Sequence, residues 1–236
     1  MQLSDGEGKT VWSGVYTYEA YGKALEEIKR DFPTNYLIGD IPQILSQIHR
    51  PKLIIRHDVV YSLEKALAMS RLEHDLGLRA AYMVRSDSPL IPLESPASRK
   101  ILNEIRSLGH EIGLNFPASL ASLSPGPLAR SIRAECARLS RQLEFPVLAV
   151  SLAGPAPAPA AESLFIGDRV NATSPVMMKW TLSDAEAAWS IQAPRPAEED
   201  PDRALLQVIA RPVVWGTQDI PPRERLESFA DESLDR

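Results

Sequence analysis

From residue 53 to residue 152 the chain repeats one pattern: a short run of branched and aromatic residues, then a longer stretch with apolar residues at every third or fourth position. Sequences of this form build strand–helix units around a mainly parallel sheet, so the class is α/β. Expected strands are 11–18, 53–60, 79–86, 111–116, 146–152, 177–182 and 205–210. The first helix carries Leu63, Ala66, Met69, Leu72 and Leu76 on one stripe, opened by Ser62 and stopped by Gly77. The second has Ser95 as N-cap, Pro96 at its first position, Ile101, Leu102, Ile105 and Leu108 inward, and Gly109 as its stop. Leu128, Ile132, Cys136, Leu139 and Leu143 line a third helix. Its arginines (Arg130, Arg133, Arg138, Arg141) form a solvated face or an anion site.

At 236 residues the chain suits one barrel domain, assigned to 1–216, with a charged tail over 217–236. That tail offers Leu226, Phe229, Ala230 and Leu234 for burial, as a loosely docked helix or a frayed end. Two proline-rich stretches, 153–162 and 193–203, read as stiff loops. Lys plus Arg number 26 against 31 Asp plus Glu, a net charge of −5, which argues against nucleic acid as partner. The lone Cys136 forms no internal disulfide and, on an apolar stripe, reads as buried filler. Residues 1–10 lack an apolar export segment, and no apolar run is long enough for a membrane span, so a cytoplasmic location is expected.

In the strand at 53–60, Ile54, Arg56, Asp58 and Val60 share one face, and Leu53, Ile55, His57 and Val59 the other. Asp58 lies near the C-terminal end, where parallel α/β folds place their sites. It is a candidate base or metal ligand, or else the ion-pair partner of Arg56.

The run Ile55-Arg56-His57-Asp58-Val59-Val60-Tyr61-Ser62, with Leu63 through Ala66, Glu73 through Leu78 and then Leu108-Gly109-His110-Glu111-Ile112-Gly113-Leu114, resembles the polysaccharide deacetylase (NodB-homology) family, particularly members found with polysaccharide biosynthesis. Val170-Asn171-Ala172, Trp180 through Asp184 and Leu206 through Trp215 are similar to its later strands, so the likeness covers about 16–215. It implies a distorted (β/α) barrel of about seven parallel strands. Active members bind one divalent metal, usually zinc, and hydrolyse N- or O-acetyl groups on sugars. Members read His-Asp-Val-Asp, the first aspartate acting as base and the second binding metal; Asp58 matches the base.

Val60 stands where the metal-binding aspartate is expected, Asn115 where the second block ends in histidine, and Ser119, Ala153 and Arg211 where further histidines are usual. None of Val60, Asn115 or Ala153 is a good zinc donor, and a guanidinium repels a cation. No bound cofactor is therefore expected, although zinc would be in active relatives. The histidines agree without the family: His49, His57, His74 and His110 show no ligand spacing. His110 follows Gly109 at a helix-to-strand junction, either making a structural hydrogen bond or facing the pocket. Arg211, with Arg56, is expected to approach Asp58 and neutralise it. Asn115, His110, Arg56, Arg211 and Trp215 complete the candidate pocket. Trp180, Trp189 and Trp215 are either sugar-stacking faces or core.

There is no Gly-x-Ser-x-Gly elbow, phosphate-cradling loop or dinucleotide fingerprint. The expected function is a deacetylase-like protein without hydrolysis, with a glycan, an active deacetylase or a glycosyl-polymer enzyme as partner. The alternative is a hydrolase with a rewired site based on Asp58.

Overall fold

A computed structural model describes residues 9–12, 14–45, 51–117, 125–154, 162–185, 189–191 and 205–234. In chain order the elements are β1 (Lys9–Trp12), α1 (Tyr18–Asp31), β2 (Thr34–Tyr36), α2 (Ile41–Ile44), β3 (Lys52–Val59), α3 (Leu63–Asp75), β4 (Ala81–Arg85), α4 (Pro96–Ser107) and β5 (Glu111–Pro117). They continue as α5 (Pro125–Leu143), β6 (Ala149–Ala153), β7 (Phe165–Ile166), β8 (Arg169–Asn171), α6 (Pro175–Met178), β9 (Thr181–Ser183), β10 (Trp189–Ile191), β11 (Leu205–Ala210) and α7 (Pro222–Leu234).

The main sheet has the order β7-β8-β6-β5-β4-β3-β11-β9, with β2 also on β3. Every pairing is parallel except β7 with β8. β1 pairs antiparallel with β10 in a separate ribbon.

Period-two alternation divides the strands between two layers. Leu53, Ile55 and Val59 of β3, Tyr82 and Val84 of β4, Ile112 and Leu114 of β5, and Val150 and Leu152 of β6 pack outward under the helices. Ile54, Ala81, Met83 and Ala149 pack inward with Ile38, Ile41 and Ile44, which fill the end of the chamber beneath β3 to β6. Gly113 belongs to the inner layer because a Cβ there would lie 2.5 Å from the Met83 sulfur.

The sheet curls until opposite parts meet across the chamber. Arg56 Nη1 on β3 and Gln207 Nε2 on β11 both donate to the Ala172 carbonyl just past β8, at 3.1 and 3.2 Å. The result is a half-barrel with helices outside. Among the described residues no helix is long and apolar enough to cross a membrane.

The expected helix signals operate as chemistry. Ser62 accepts from the Lys65 amide at 3.2 Å and Ser95 from the Ser98 amide at 3.0 Å, caps that each stabilise by about 1 kcal/mol. Gly77 and Gly109 hold φ of 67° and 94°, a left-handed turn that a Cβ would strain.

Two expected strands are corrected. Residues 11–18 are not one strand: β1 ends at Trp12, and Thr17 caps α1 through its hydroxyl, accepting from the Ala20 amide at 3.1 Å. The stretch 177–182 divides into the helical turn α6, with proline at its start, and the short β9. The tail forms α7, whose Leu226 and Phe229 pack against the outer core. The proline-rich loops, apart from 153, 154 and 162, lie outside the described residues, as do His49 and Ser119.

Candidate functional site

The open end of the chamber lies where β3, β5 and β6 end. Asp58 stands on the inner face of β3 with its side chain 22% exposed, and Arg56 stands two residues earlier on that face at 6%. Arg56 Nη2 donates to Asp58 Oδ2 at 2.9 Å. From β5, two strands along the sheet, Asn115 Nδ2 donates to Asp58 Oδ1 at 3.3 Å and to Ser151 Oγ of β6 at 3.1 Å. Ser151 Oγ in turn donates to Asp58 Oδ1 at 3.4 Å. One strong charged bond and two long neutral ones thus hold the carboxylate.

This donor set does not fit zinc. Asp58 is the one carboxylate in it, a guanidinium occupies Oδ2, and Asn115 turns its NH2 rather than its oxygen toward Asp58. Val60 contributes an alkyl group, and its carbonyl accepts the Ser88 hydroxyl at 2.8 Å. Among the described residues no cluster of three His, Cys, Asp or Glu could hold a metal ion.

Arg211 does not join this group, contrary to expectation. β11 ends at Ala210, the backbone turns into a short 3-10 segment, and the side chain is carried to Asp184. Arg211 Nε donates to Asp184 Oδ1 at 2.9 Å and the Arg211 amide to Oδ2 at 2.6 Å. Asp184 is buried, and burial pushes its carboxyl above the ordinary value although Arg211 pulls it back. A buried carboxylate requires a cation. Asp58, with Arg56 beside it, does not.

Trp215 is likewise corrected from pocket wall to core. It is fully buried, donates Nε1 to Asp184 Oδ2 at 3.0 Å, and packs on Trp12, Tyr16 and Tyr21 at centroid distances of 5.5, 5.4 and 5.0 Å. Trp180 packs edge-on against Phe32. The side chain of Trp189 lies outside the described residues.

His110 also leaves the pocket. It is buried on the outer side of the sheet, where Nδ1 accepts from the Ala80 amide at 3.0 Å and Nε2 faces the Ser70 carbonyl at 2.9 Å. A ring nitrogen that accepts a backbone N–H fixes the neutral tautomer, and burial lowers the pKa accordingly. The structural hydrogen bond is the reading that the geometry supports.

His57 faces away from Asp58, as strand alternation requires. Its Nε2 lies 2.6 Å from Glu73 Oε1, a carboxylate that also accepts from Tyr21 at 2.6 Å and, on Oε2, from Tyr82 at 2.7 Å. Burial pushes the Glu73 carboxyl up, but His57 and the Tyr21 hydroxyl hold it below its ordinary value. Cys136 is buried with its thiol pushed up to about 11, an inert filler.

Sequence reading missed Glu73, Ser151, Asp184 and Gln207 as structural partners. Glu73 follows Ala66 by seven residues and Met69 by four on the stripe of α3, so an acid on an apolar face was the available signal. Ser151 and Gln207 are polar positions inside otherwise apolar strands.

The sequence matches no protein-family model and no curated protein. Similar solved structures are carbohydrate esterases of family 4, the family of polysaccharide deacetylases that the motifs resemble. A CE4 family pseudoenzyme from Bacillus anthracis is 8% identical, with 79% of this chain and 61% of that chain covered and a TM-score of 0.46. A Streptococcus mutans CE4 esterase is 12% identical, with 86% of each chain covered and a TM-score of 0.49. Streptococcus pyogenes deacetylase PplD, solved in complex with acetate, is 14% identical, covered over 90% of this chain and 86% of its own, at a TM-score of 0.45. The chain spans 61% to 63% of the length of the pseudoenzyme structures.

Proposed function

We propose that this chain is a polysaccharide-deacetylase-like protein of carbohydrate metabolism that binds a glycan at the mouth of the half-barrel without metal and without hydrolysis. The observation that carries the reading is the Arg56–Asp58 ion pair of 2.9 Å, placed where the resemblance puts a base beside a cation. A guanidinium there neutralises the carboxylate permanently, and the neighbouring Asn115 and Ser151 are hydrogen-bonding groups suited to hydroxyls rather than to an ion. His57 and His110 are both committed to the outer layer, which leaves no described imidazole beside Asp58 to act as acid. We propose with it a scaffolding or regulatory role beside an active deacetylase or a glycosyl-polymer enzyme.

The test is acetate release from N-acetylated chito-oligosaccharides and from a chromogenic acetate ester, with and without added zinc. The reading expects no release above that of the Asp58→Ala variant. Release by the parent protein that disappears in Asp58→Ala would replace this reading with that of a rewired hydrolase.

A further inference from the structure

A groove of about 760 Å³ lies outside the sheet, between the exposed face of α4 and the C-terminal turn of α5. Arg99, Lys100, Asn103 and Arg106 line it from α4, and Gln142 and Glu144 from the turn. Arg99, Asn103 and Arg106 follow one another at helical spacings of four and three, so they share a face, and the two arginines stand about 10 Å apart along the axis. Among the described residues none of the three cations has a carboxylate partner. The acids closest in sequence are committed elsewhere, Glu104 to Arg71 and Glu94 to Arg138 at 3.7 Å. Among the described lining residues Glu144 is the one carboxylate, so three cations face a single anion on a chain whose net charge is −5.

Packing fixes the walls. The Arg106 guanidinium lies over the Phe145 ring at 4.6 Å. Phe145 is held there by the turn that ends α5, in which its amide donates to the Ser140 carbonyl at 3.2 Å and Glu144 takes a φ of 58°. Gln142 is tied at both ends of its carboxamide: Oε1 accepts from Arg138 Nη1 at 3.1 Å and Nε2 donates to Glu94 Oε1 at 3.2 Å. Among the described lining residues there is no aromatic side chain, so the groove lacks the stacking face that sugar rings and bases use. Recognition there is by charge. A guanidinium presents paired donors that match phosphate oxygens, and three cations in succession suit an anion with several charges in a row better than one with a single charge. We propose that the groove between α4 and α5 binds an oligophosphate group, with Arg99, Lys100 and Arg106 as its cations and the Asn103 carboxamide as a neutral donor. The groove is outside the sheet whereas Asp58 is on its inner face, so this site stands independently of the glycan reading.

The experiment is calorimetric titration of the full chain, free of divalent cations, with inorganic tripolyphosphate, and in parallel with orthophosphate and with tetragalacturonate. Tripolyphosphate is expected to bind about tenfold more tightly than either of the other two, and less tightly as salt is raised. Arg99→Glu and Arg106→Glu are each expected to weaken it about tenfold or more, since a charge-assisted bond is lost and a repulsion added. Arg223→Glu on α7 makes the same change in net charge away from the groove and is expected to leave the affinity unchanged. All three arginines are exposed, and each variant is checked for an unchanged circular-dichroism spectrum. Should Arg106→Glu fail to fold for want of its contact with Phe145, Arg99→Glu carries the comparison. The proposal is overturned by any of four results: no binding of tripolyphosphate; orthophosphate or tetragalacturonate bound as tightly; binding indifferent to Arg99→Glu; or an equal loss in Arg223→Glu.

Discussion

Arg56 and Asp58, two residues apart on one face of β3, close into an ion pair of 2.9 Å at the mouth of the half-barrel, and Arg56 simultaneously holds the Ala172 carbonyl across the chamber. The pair therefore joins two tasks. It settles the charge of the candidate site, and it ties β3 to the far side of a sheet that curls without closing.

Arg56→Leu removes both bonds, leaving a carboxylate without its cation and the Ala172 carbonyl with one of its two side-chain donors gone, Gln207 remaining. Breaking a buried pair costs about 3–5 kcal/mol, and the partial exposure of Asp58 reduces this to about 2–3 kcal/mol. Adding Asp58→Asn is expected to recover part of the loss by removing the stranded charge. Urea unfolding of the three variants beside the parent measures it.

Glu73 supplies an acid-dependent contribution. Its folded pKa lies below the ordinary value of 4.5, so the stability it contributes is present above about pH 4.5 and is lost as pH falls through the folded value. Glu73→Gln is expected to flatten the acid limb of a Tm-against-pH curve. At neutral pH it should destabilise by about 1–3 kcal/mol, because Tyr21, His57 and Tyr82 lose a carboxylate acceptor in a site that excludes water.

Glu111 acts with the opposite sign. It accepts from the Gly39 amide at 3.1 Å at the closed end of the chamber, and burial raises its carboxyl from 4.5 to about 7. A raised folded pKa means stability that is full below about pH 4.5 and declines as pH rises to about 7. Glu111→Gln keeps an acceptor for Gly39 and should remove that decline, by about 1–3 kcal/mol across the window. Thermal unfolding at the two ends of the window checks it.

The parallel sheet, three of its helices, two of them with their caps, and the division of β3 into two faces were legible because periodicity and capping are local. The same alternation placed Arg56 beside Asp58 and turned His57 away. Three things were not legible. Thr17 caps a helix where a run of β-forming residues suggested strand, since the cap and the burial of Tyr21, Leu25 and Ile28 outweigh propensity. Arg211 follows the in-register position beyond Ala210, yet the chain turns there toward a buried Asp184 that no local signal announces. Glu73 gathers Tyr21, His57 and Tyr82 from three separate elements, an association that only the tertiary fold creates.

Restoring donors should restore a cation site. Val60→Asp together with Asn115→His supplies a carboxylate and an imidazole, two of the about three protein ligands that a zinc site with one open position uses, with Asp58 near them. The double variant is expected to bind zinc at least tenfold more tightly than the parent, and more tightly again with Arg56→Leu added. Competition with a chromogenic zinc chelator measures each affinity.

The central claim, that a guanidinium has taken the place of a metal ion beside Asp58, is met most directly by elemental analysis of the chain purified without chelator or nickel affinity and then equilibrated with zinc. Far less than one zinc per chain is expected, unchanged in Asp58→Ala. One tightly held zinc per chain that disappears in Asp58→Ala would contradict it.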